Sequence, residues 1–457
     1  MSQLSPTPAA PSTSSDAQTT QPASPRPTAV VIGGGIGGVA AALRLRQLGT
    51  KVTLVEQALE FGEVGAGLQL APNATRLLAE WGLLDRVLEV AVAPKHLVFR
   101  DAVTGRELLR KRLRGEFEAR YVAPYIVAHR ADLHAILVDA ARAAGVELVN
   151  GVTVARTQNT AFGATAVAED GREFDADAVI AADGLRSVVR AQMSDDEPIP
   201  SGYVAFRGAL PISDVKHASD MDDVVVWLGP RCHLVQYPLR KGEMFNTVAV
   251  FQSPAFLRGE EVWGTEDELE EAYKDCVPEV RKALENLWRV RSWPMFDRLP
   301  LPTWVDGNVA LLGDAAHPML QYLAQGACQA LEDAHVLGEA VRRRVLPASD
   351  DGDRRLAWVE ALREYNETRE PRTSRVQTTA RLWGESWHVD EPVAVLIRNM
   401  LFEAADARGG FPYTDWLYGR DALTPAAASC VQTVPTRSTG AARQRLSGSA
   451  PVMRRGS

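Results

Sequence analysis

The amino-acid sequence predicts an α/β protein: a parallel-sheet domain interrupted by an antiparallel-sheet insertion and followed by C-terminal helices. Three observations carry this prediction. A strand, glycine turn, helix and strand follow one another near the start, a β-rich stretch occupies the middle, and a buried-strand pattern with a long helix follows it. The first run begins at Thr28, where the apolar AVVIG ends in glycines and leads into VAAALRLRQLG, whose apolar residues recur at helical spacing up to Gly49. KVTLVEQ, from Lys51, reads as a second buried strand. Strand, turn, helix and strand in that order make a βαβ unit, for which parallel pairing and a right-handed crossover are expected.

Further along, ADLHAILVDAARAAG reads as a helix, VELVNG as a strand, and ADAVIAADG as a buried strand opening into a glycine turn, all able to extend the same sheet. From Gly202 to Trp293 the texture changes to YVAFRGALP, DVVVWLG, CHLVQYPL and MFNTVAVFQ, short strand patterns separated by turn residues. GNVALLGDAAHP then returns to a buried strand, and GACQALEDAHVLGEAVRRR to a helix, so the first domain is discontinuous. The expected division is a disordered tail over 1–27, a first domain over 28–200 and 301–345, an inserted domain over 201–300, a helical region over 346–423 and a second disordered tail over 424–457. No internal repeat is visible.

The composition narrows the function classes. With 457 residues, 46% hydrophobic and 24% charged, the chain reads as an ordinary globular enzyme. A formal charge of −8 argues against general affinity for nucleic acid or anionic lipid. Cys232, Cys276, Cys328 and Cys430 lack the close pairing of a zinc site or a disulfide scaffold, which suits a reduced, cytoplasmic protein. No apolar run approaches the roughly 20 residues of a membrane span. The first residues lack the apolar core of a secretory signal, and the single Arg26 with acidic Asp16 is unlike a transit peptide.

Gly33, Gly35 and Gly38 form GxGxxG between strand and helix. The first allows the tight turn, the second admits a pyrophosphate to the backbone, and the third lets helix and strand approach. Free N–H groups at the helix start then stabilise phosphates. Glu56 ends the second strand about twenty residues beyond the middle glycine, where a carboxylate can accept ribose hydroxyl protons. These residues predict a dinucleotide site and leave FAD or NAD open.

Two more segments carry a resemblance. AADGLRSVVR, Ala181 to Arg190, and GNVALLGDAAHP, Gly307 to Pro318, resemble the paired signatures of the group A flavoprotein aromatic hydroxylases over a span from Thr28 to Glu403. The resemblance implies a Rossmann-like FAD-binding domain with an inserted substrate domain. It implies that Asp183 lies near both nucleotide sites, with Gly184 turning the chain and Ser187 and Arg190 supporting it. Gly313 and Asp314 would then meet the ribityl chain of FAD, the Arg130 of AHRADL would contact that chain, and His317 would support the cofactor. Only one nucleotide fingerprint is evident, so nicotinamide is expected to bind transiently, and the resemblance implies NADH over NADPH as electron donor.

Within the family, HLVQYPLRKGEMFN from His233 and HPMLQYLAQGACQALEDA from His317 resemble the hydroxylases that act on 3-hydroxybenzoate, and are shared in part with salicylate and hydroxynicotinate hydroxylases. The implied reaction inserts one oxygen of O2 para to the phenol, giving 2,5-dihydroxybenzoate. An electrophilic oxygen needs an electron-rich ring, so a base must draw the phenol proton. His233 is the expected base. Tyr237, on the same strand face by period two, is expected to reach the same phenol or the carboxylate, and Gln321 to hydrogen-bond the substrate hydroxyl. Gln69 is expected near the flavin without an assigned role. No residue is assigned to the substrate carboxylate. The alternatives are a decarboxylating salicylate hydroxylase, another hydroxybenzoate or hydroxynicotinate hydroxylase and, from another class, a noncatalytic FAD-binding redox sensor; a halogenase is disfavoured because no WxWxIP segment is present. The sequence leaves the oligomeric state open, a homodimer included.

Overall fold

Thr28–Ile32, the helix Ile36–Gln47 and Lys51–Glu56 form the expected βαβ unit in the computed structural model, which describes residues 26–62, 66–216, 220–407 and 414–419. The tails expected over 1–27 and 424–457 fall outside the described residues, except for Arg26 and Pro27. The chain forms a six-stranded sheet in the order Val305–Asp306, Val309–Leu311, Ala178–Ala181, Thr28–Ile32, Lys51–Glu56, Glu147–Asn150. Its four inner pairings are parallel and the edge pairing of Val305–Asp306 is antiparallel. The central strands are apolar on both faces because both are covered, one by helices and the other by a three-stranded sheet of Val154–Thr160, Gly163–Ala168 and Glu173–Ala176. The helix Ile36–Gln47 is accordingly buried nearly all round, and it packs against the helix Gly326–Arg344. Gly37 permits that contact, since a Cβ there would meet Ala330 Cβ and Leu312 Cδ2, each at 3.1 Å.

The insertion builds a seven-stranded sheet in the order Trp293–Asp297, Ile199–Pro211, Met244–Gln252, Cys232–Leu239, Val224–Gly229, His96–Asp101, Glu107–Arg112. This departs from the sequence reading in two ways. Two strands come from inside the 28–200 segment, and Val224–Gly229 pairs with His96–Asp101 in parallel, so the sheet is mixed rather than antiparallel. The physical reason lies in Val224–Gly229, all six of whose residues are buried. Left as an edge it would present unpaired backbone groups beside apolar side chains. Charged Glu107–Arg112 ends the sheet instead.

Strand alternation splits this sheet into two faces. Val204, Phe206, Val225, Trp227, Cys232, Leu234, Ala249 and Phe251 share a small core with Leu269, Tyr273 and Val280 of the helices Glu266–Tyr273 and Pro278–Ala283. The opposite parity, Ala205, Ala209, Val226, Val235, Tyr237, Val248 and Val250, belongs to the main core shared with the first domain. The two-stranded pair Gly67–Leu70 and Ile126–His129 joins the layers and delivers Arg130 to the start of the helix Arg130–Ala144. The expected C-terminal helices are Asp351–Trp387 and Pro392–Ala407.

Candidate active site

The glycine turn forms a groove for a dinucleotide. Gly33 has φ +98°, and a Cβ on Gly38 would lie 2.0 Å from the Gly33 carbonyl oxygen, so the turn and the helix behind it exclude any side chain at either position. Gly35 starts the helix without a side-chain cap, which leaves the first-turn N–H groups for an anion. Glu56 reaches back over this end: its Oε2 accepts from the Gly34 N–H at 2.6 Å and its Oε1 from the Ala58 N–H at 2.8 Å. His134 Nε2 adds a 2.6 Å bond to the Gly34 carbonyl. A cavity of about 520 Å³ bordered by Phe61, His134 and Asn150 continues the groove past Glu56.

Asp183 leaves the end of the strand Ala178–Ala181, and Gly184 turns the chain with φ +81°. One Asp183 oxygen accepts from the Val188 N–H at 2.9 Å, while its Oδ1 is buried with no partner among the described residues. Burial pushes this carboxyl above the ordinary aspartate range. Arg190 is buried and ties the segment to the second fingerprint, donating to the Ala315 and Ala316 carbonyls at 3.0 and 2.6 Å and pairing with Asp196 at 2.9 Å.

Asp314 is exposed at the groove, its Oδ1 4.0 Å from the Cβ position of Gly326, which opens the helix Gly326–Arg344. That helix also lacks a side-chain cap. Gly313, at φ +62°, donates its N–H to Asp333 Oδ2 at 3.0 Å. His317 braces the loop from behind: it is buried, and its Nε2 meets the same Asp333 oxygen at 2.5 Å. Arg130 is exposed at the head of its helix, with its N–H bonded to the Ala66 carbonyl at 3.2 Å. Gln69 accepts from the Tyr125 hydroxyl at 2.5 Å. Two uncapped helix starts, Glu56 at one end, Asp314 at the other and a partnerless Asp183 oxygen between them fit FAD.

The facing wall is the inner face of the large sheet. Register sets His233 beside Val250, Val235 beside Val248 and Tyr237 beside Asn246, with Arg207 across from Val248 on the next strand. His233 and Tyr237 share the expected face, but four residues of strand separate their Cα atoms by about 13 Å. They therefore bracket a ligand instead of meeting at one oxygen. Tyr237 packs on Gly67, where a Cβ would lie 2.4 Å from the tyrosine ring, and Gly67 N–H donates to Asn246 Oδ1 at 2.9 Å.

Arg207 is the site residue that the sequence reading missed. Its Nη2 donates to Gln321 Oε1 at 3.0 Å, its Nε is buried without a partner, and among the described residues no carboxylate pairs with it. Burial lowers its pKa, Tyr237 opposes that shift and the Arg130 charge adds to it. A deeply set cation without a counter-ion is costly unless an anion joins it. The available signal was a lone charge on the inward parity of an otherwise apolar strand, YVAFRGALP.

His233 is buried in an aromatic enclosure. Its Nδ1 lies 2.7 Å from His388 Nε2, and the rings of Trp387 and Tyr322 stand 5.1 and 5.6 Å from its own. Burial and the second imidazole hold His233 well below the ordinary histidine range, and burial with the Arg398 charge takes His388 down to about 3. Both are neutral at pH 7. A histidine in the unfolded chain titrates near 6.5, so below that pH the unfolded chain binds protons that folded His388 refuses until about pH 3. Stability is therefore lost as pH falls through that window, by roughly 2 kcal/mol at pH 5 from His388 alone. The urea midpoint is expected to drop between pH 7 and pH 5, and to drop less in His388→Gln; an equal drop in both proteins would remove His388 as a cause.

Residues 26–380 match the family model described as "FAD binding domain". The chain is 38% identical over 396 residues to 3-hydroxybenzoate 6-hydroxylase of Klebsiella oxytoca, covering 86% of this chain and 96% of that one. Among solved structures it is similar to HpxO of Klebsiella pneumoniae complexed with FAD and uric acid, with TM-score 0.74, 25% identity and coverage of 86% and 97%. A salicylate hydroxylase substrate complex matches with TM-score 0.72, 26% identity and coverage of 88% and 98%.

Proposed function

The chain belongs to the FAD-dependent aromatic monooxygenases built on this FAD binding domain, and from that premise we propose that it hydroxylates 3-hydroxybenzoate to 2,5-dihydroxybenzoate with NADH and O2. The single observation that carries the substrate class is Arg207. An unpaired cation beside Gln321, on the wall that also bears His233 and Tyr237, suits an aromatic ring carrying both a carboxylate and a hydroxyl. The relatives' 3-hydroxybenzoate activity supports the choice among such rings.

FAD, when bound, takes reducing equivalents from the nicotinamide and activates dioxygen for transfer to the ring. Glu56, the uncapped helix starts and Asp314 would hold it, together with Arg130 and Asp183. His233 Nε2 accepts the phenol proton, which raises electron density at the ortho and para carbons. Gln321 orients the hydroxyl through its amide while its Oε1 stays on Arg207. Arg207 anchors the carboxylate, and Tyr237, kept a neutral phenol by burial against the opposing pull of Arg207, closes the far end. The aromatic enclosure of Tyr322 and Trp387 excludes water from the base. The cytoplasm suits the buried, free Cys232, Cys276 and Cys328, and no described helix is long and apolar enough to cross a membrane.

The deciding experiment isolates the yellow protein, screens hydroxybenzoates for stimulation of NADH oxidation, and identifies products. Gentisate from 3-hydroxybenzoate is the expected result. Catechol from salicylate would move the chain to the decarboxylating reading, and bound flavin with no stimulation by any hydroxybenzoate would leave a redox sensor. Arg207→Met is expected to raise the KM for 3-hydroxybenzoate by about 10- to 100-fold, the worth of one charge-assisted hydrogen bond, with FAD content unchanged. An unaltered KM would release Arg207 from this role.

A further inference from the structure

We propose that His388 is a positioning residue that accepts the Nδ1 proton of His233 and thereby holds the Nε2 of that ring bare toward the substrate. The inference rests on His233 being the base. A neutral imidazole carries one proton, and which nitrogen bears it follows from the hydrogen bond made at the other. His233 serves as a base at Nε2 only when Nδ1 is protonated, and the one partner recorded at Nδ1 is His388 Nε2, 2.7 Å away. Among the described residues Nε2 of His233 has no hydrogen-bond partner.

The geometry keeps His388 in place from several elements. It ends the helix Asp351–Trp387, its N–H donates to the Glu385 carbonyl at 3.3 Å, and its own carbonyl accepts from the Arg231 N–H at 3.1 Å. Tyr203 of the Arg207 strand stacks on its ring at 4.4 Å and 22°, and Tyr322 meets it edge-on at 5.4 Å. The charged and titratable groups around the pair include Arg398 of the helix Pro392–Ala407, the Tyr203, Tyr322 and Tyr273 phenols, Cys232, and, beyond Tyr203, Arg231, Asp390 and Glu385. Arg398 donates to the Trp387 carbonyl at 2.9 Å, next door to His388, where its charge opposes protonation of the ring. The ring therefore stays neutral and keeps one bare nitrogen, which accepts at Nε2 when its own proton sits on Nδ1. Its other nitrogen, Nδ1, is buried with no partner among the described residues and carries the ring's own proton in this tautomer. A base oriented by a third group is a recurrent way to fix a proton's position in catalysis.

The test compares His388→Gln with His388→Asn in the FAD-loaded protein. A glutamine oxygen can stand where Nε2 stood and accept the same proton, whereas asparagine falls short. Asparagine is expected to lower kcat for hydroxylation about 10- to 100-fold, in the range seen when an orienting partner is lost, with FAD content and KM within about threefold. Glutamine is expected to recover kcat to within about fivefold of the parent. The double variant His233→Asn/His388→Asn should be no slower than His233→Asn alone, because coupled residues are not additive. Parental kcat in the asparagine variant, a glutamine variant as slow as asparagine, or losses that multiply in the double variant would each overturn the proposal. A parental rate in His233→Asn is a separate outcome: it removes the base itself.

Discussion

His233→Asn will keep its FAD and will form hydroxylated product about 10²- to 10⁴-fold more slowly, the usual worth of a positioned general base. The groove proposed for FAD is bounded by the glycine turn, Glu56 and the Gly313–His317 loop, and none of these makes a hydrogen bond to the His233 ring. Loss of the imidazole should therefore act on the ring's nucleophilicity and not on cofactor retention. NADH oxidation is expected to fall less than product formation, since the electron donor does not need the phenol proton. Chromatographic product analysis at saturating NADH makes the comparison. Undiminished product would dismiss His233.

The second large effect is on stability. Arg369 is fully buried in the helix Asp351–Trp387 and donates to Asp333 Oδ1 at 2.7 Å, Glu332 Oε2 at 2.5 Å and Gln329 Oε1 at 2.8 Å. Burial alone would raise the pKa of both carboxyls, but Arg372 and Arg369 hold Glu332 down to about 2, and His317 with Arg369 does the same for Asp333. Arg369→Met leaves two buried negative charges short of a counter-ion. Breaking a buried ionic pair from one side costs about 3–5 kcal/mol. Asp333 also fixes the Gly313 N–H and His317, so the same variant is expected to release FAD more readily. Urea unfolding and flavin fluorescence read the two effects. A parental urea midpoint would mean that the methylenes of methionine and rearranged carboxylates replace the arginine without loss.

The proposed cofactor half of the site is legible in the sequence because its parts are local. GxGxxG, Glu56 and GDAAHP each occupy one turn or one strand end, where backbone geometry restricts the residue type. The substrate half depends on register. Arg207 meets Gln321 only because two segments more than a hundred positions apart are brought together by the large sheet and the loop after the second fingerprint. His388 follows GESW at the end of a 37-residue helix, and nothing in its neighbours announces an imidazole partner 155 positions earlier. His317 was legible as belonging to the loop, but its partner Asp333 reads as one more polar residue of a helix. Tyr237 illustrates the limit of parity: period two put it on the expected face, while distance along the strand separates it from His233. The strand at His96–Asp101 went unassigned for a similar reason, since parallel pairing joins segments that no turn signal connects.

That threading has a practical consequence for anyone hoping to treat this chain as modular. Residues 96–112 leave the nucleotide-binding layer, complete the other layer's sheet, and return, so no single cut yields two pieces that each own all their strands. Swapping only the 201–300 segment between relatives would ask a foreign edge to mate with resident backbone, and specificity grafts will succeed only when both stretches travel together.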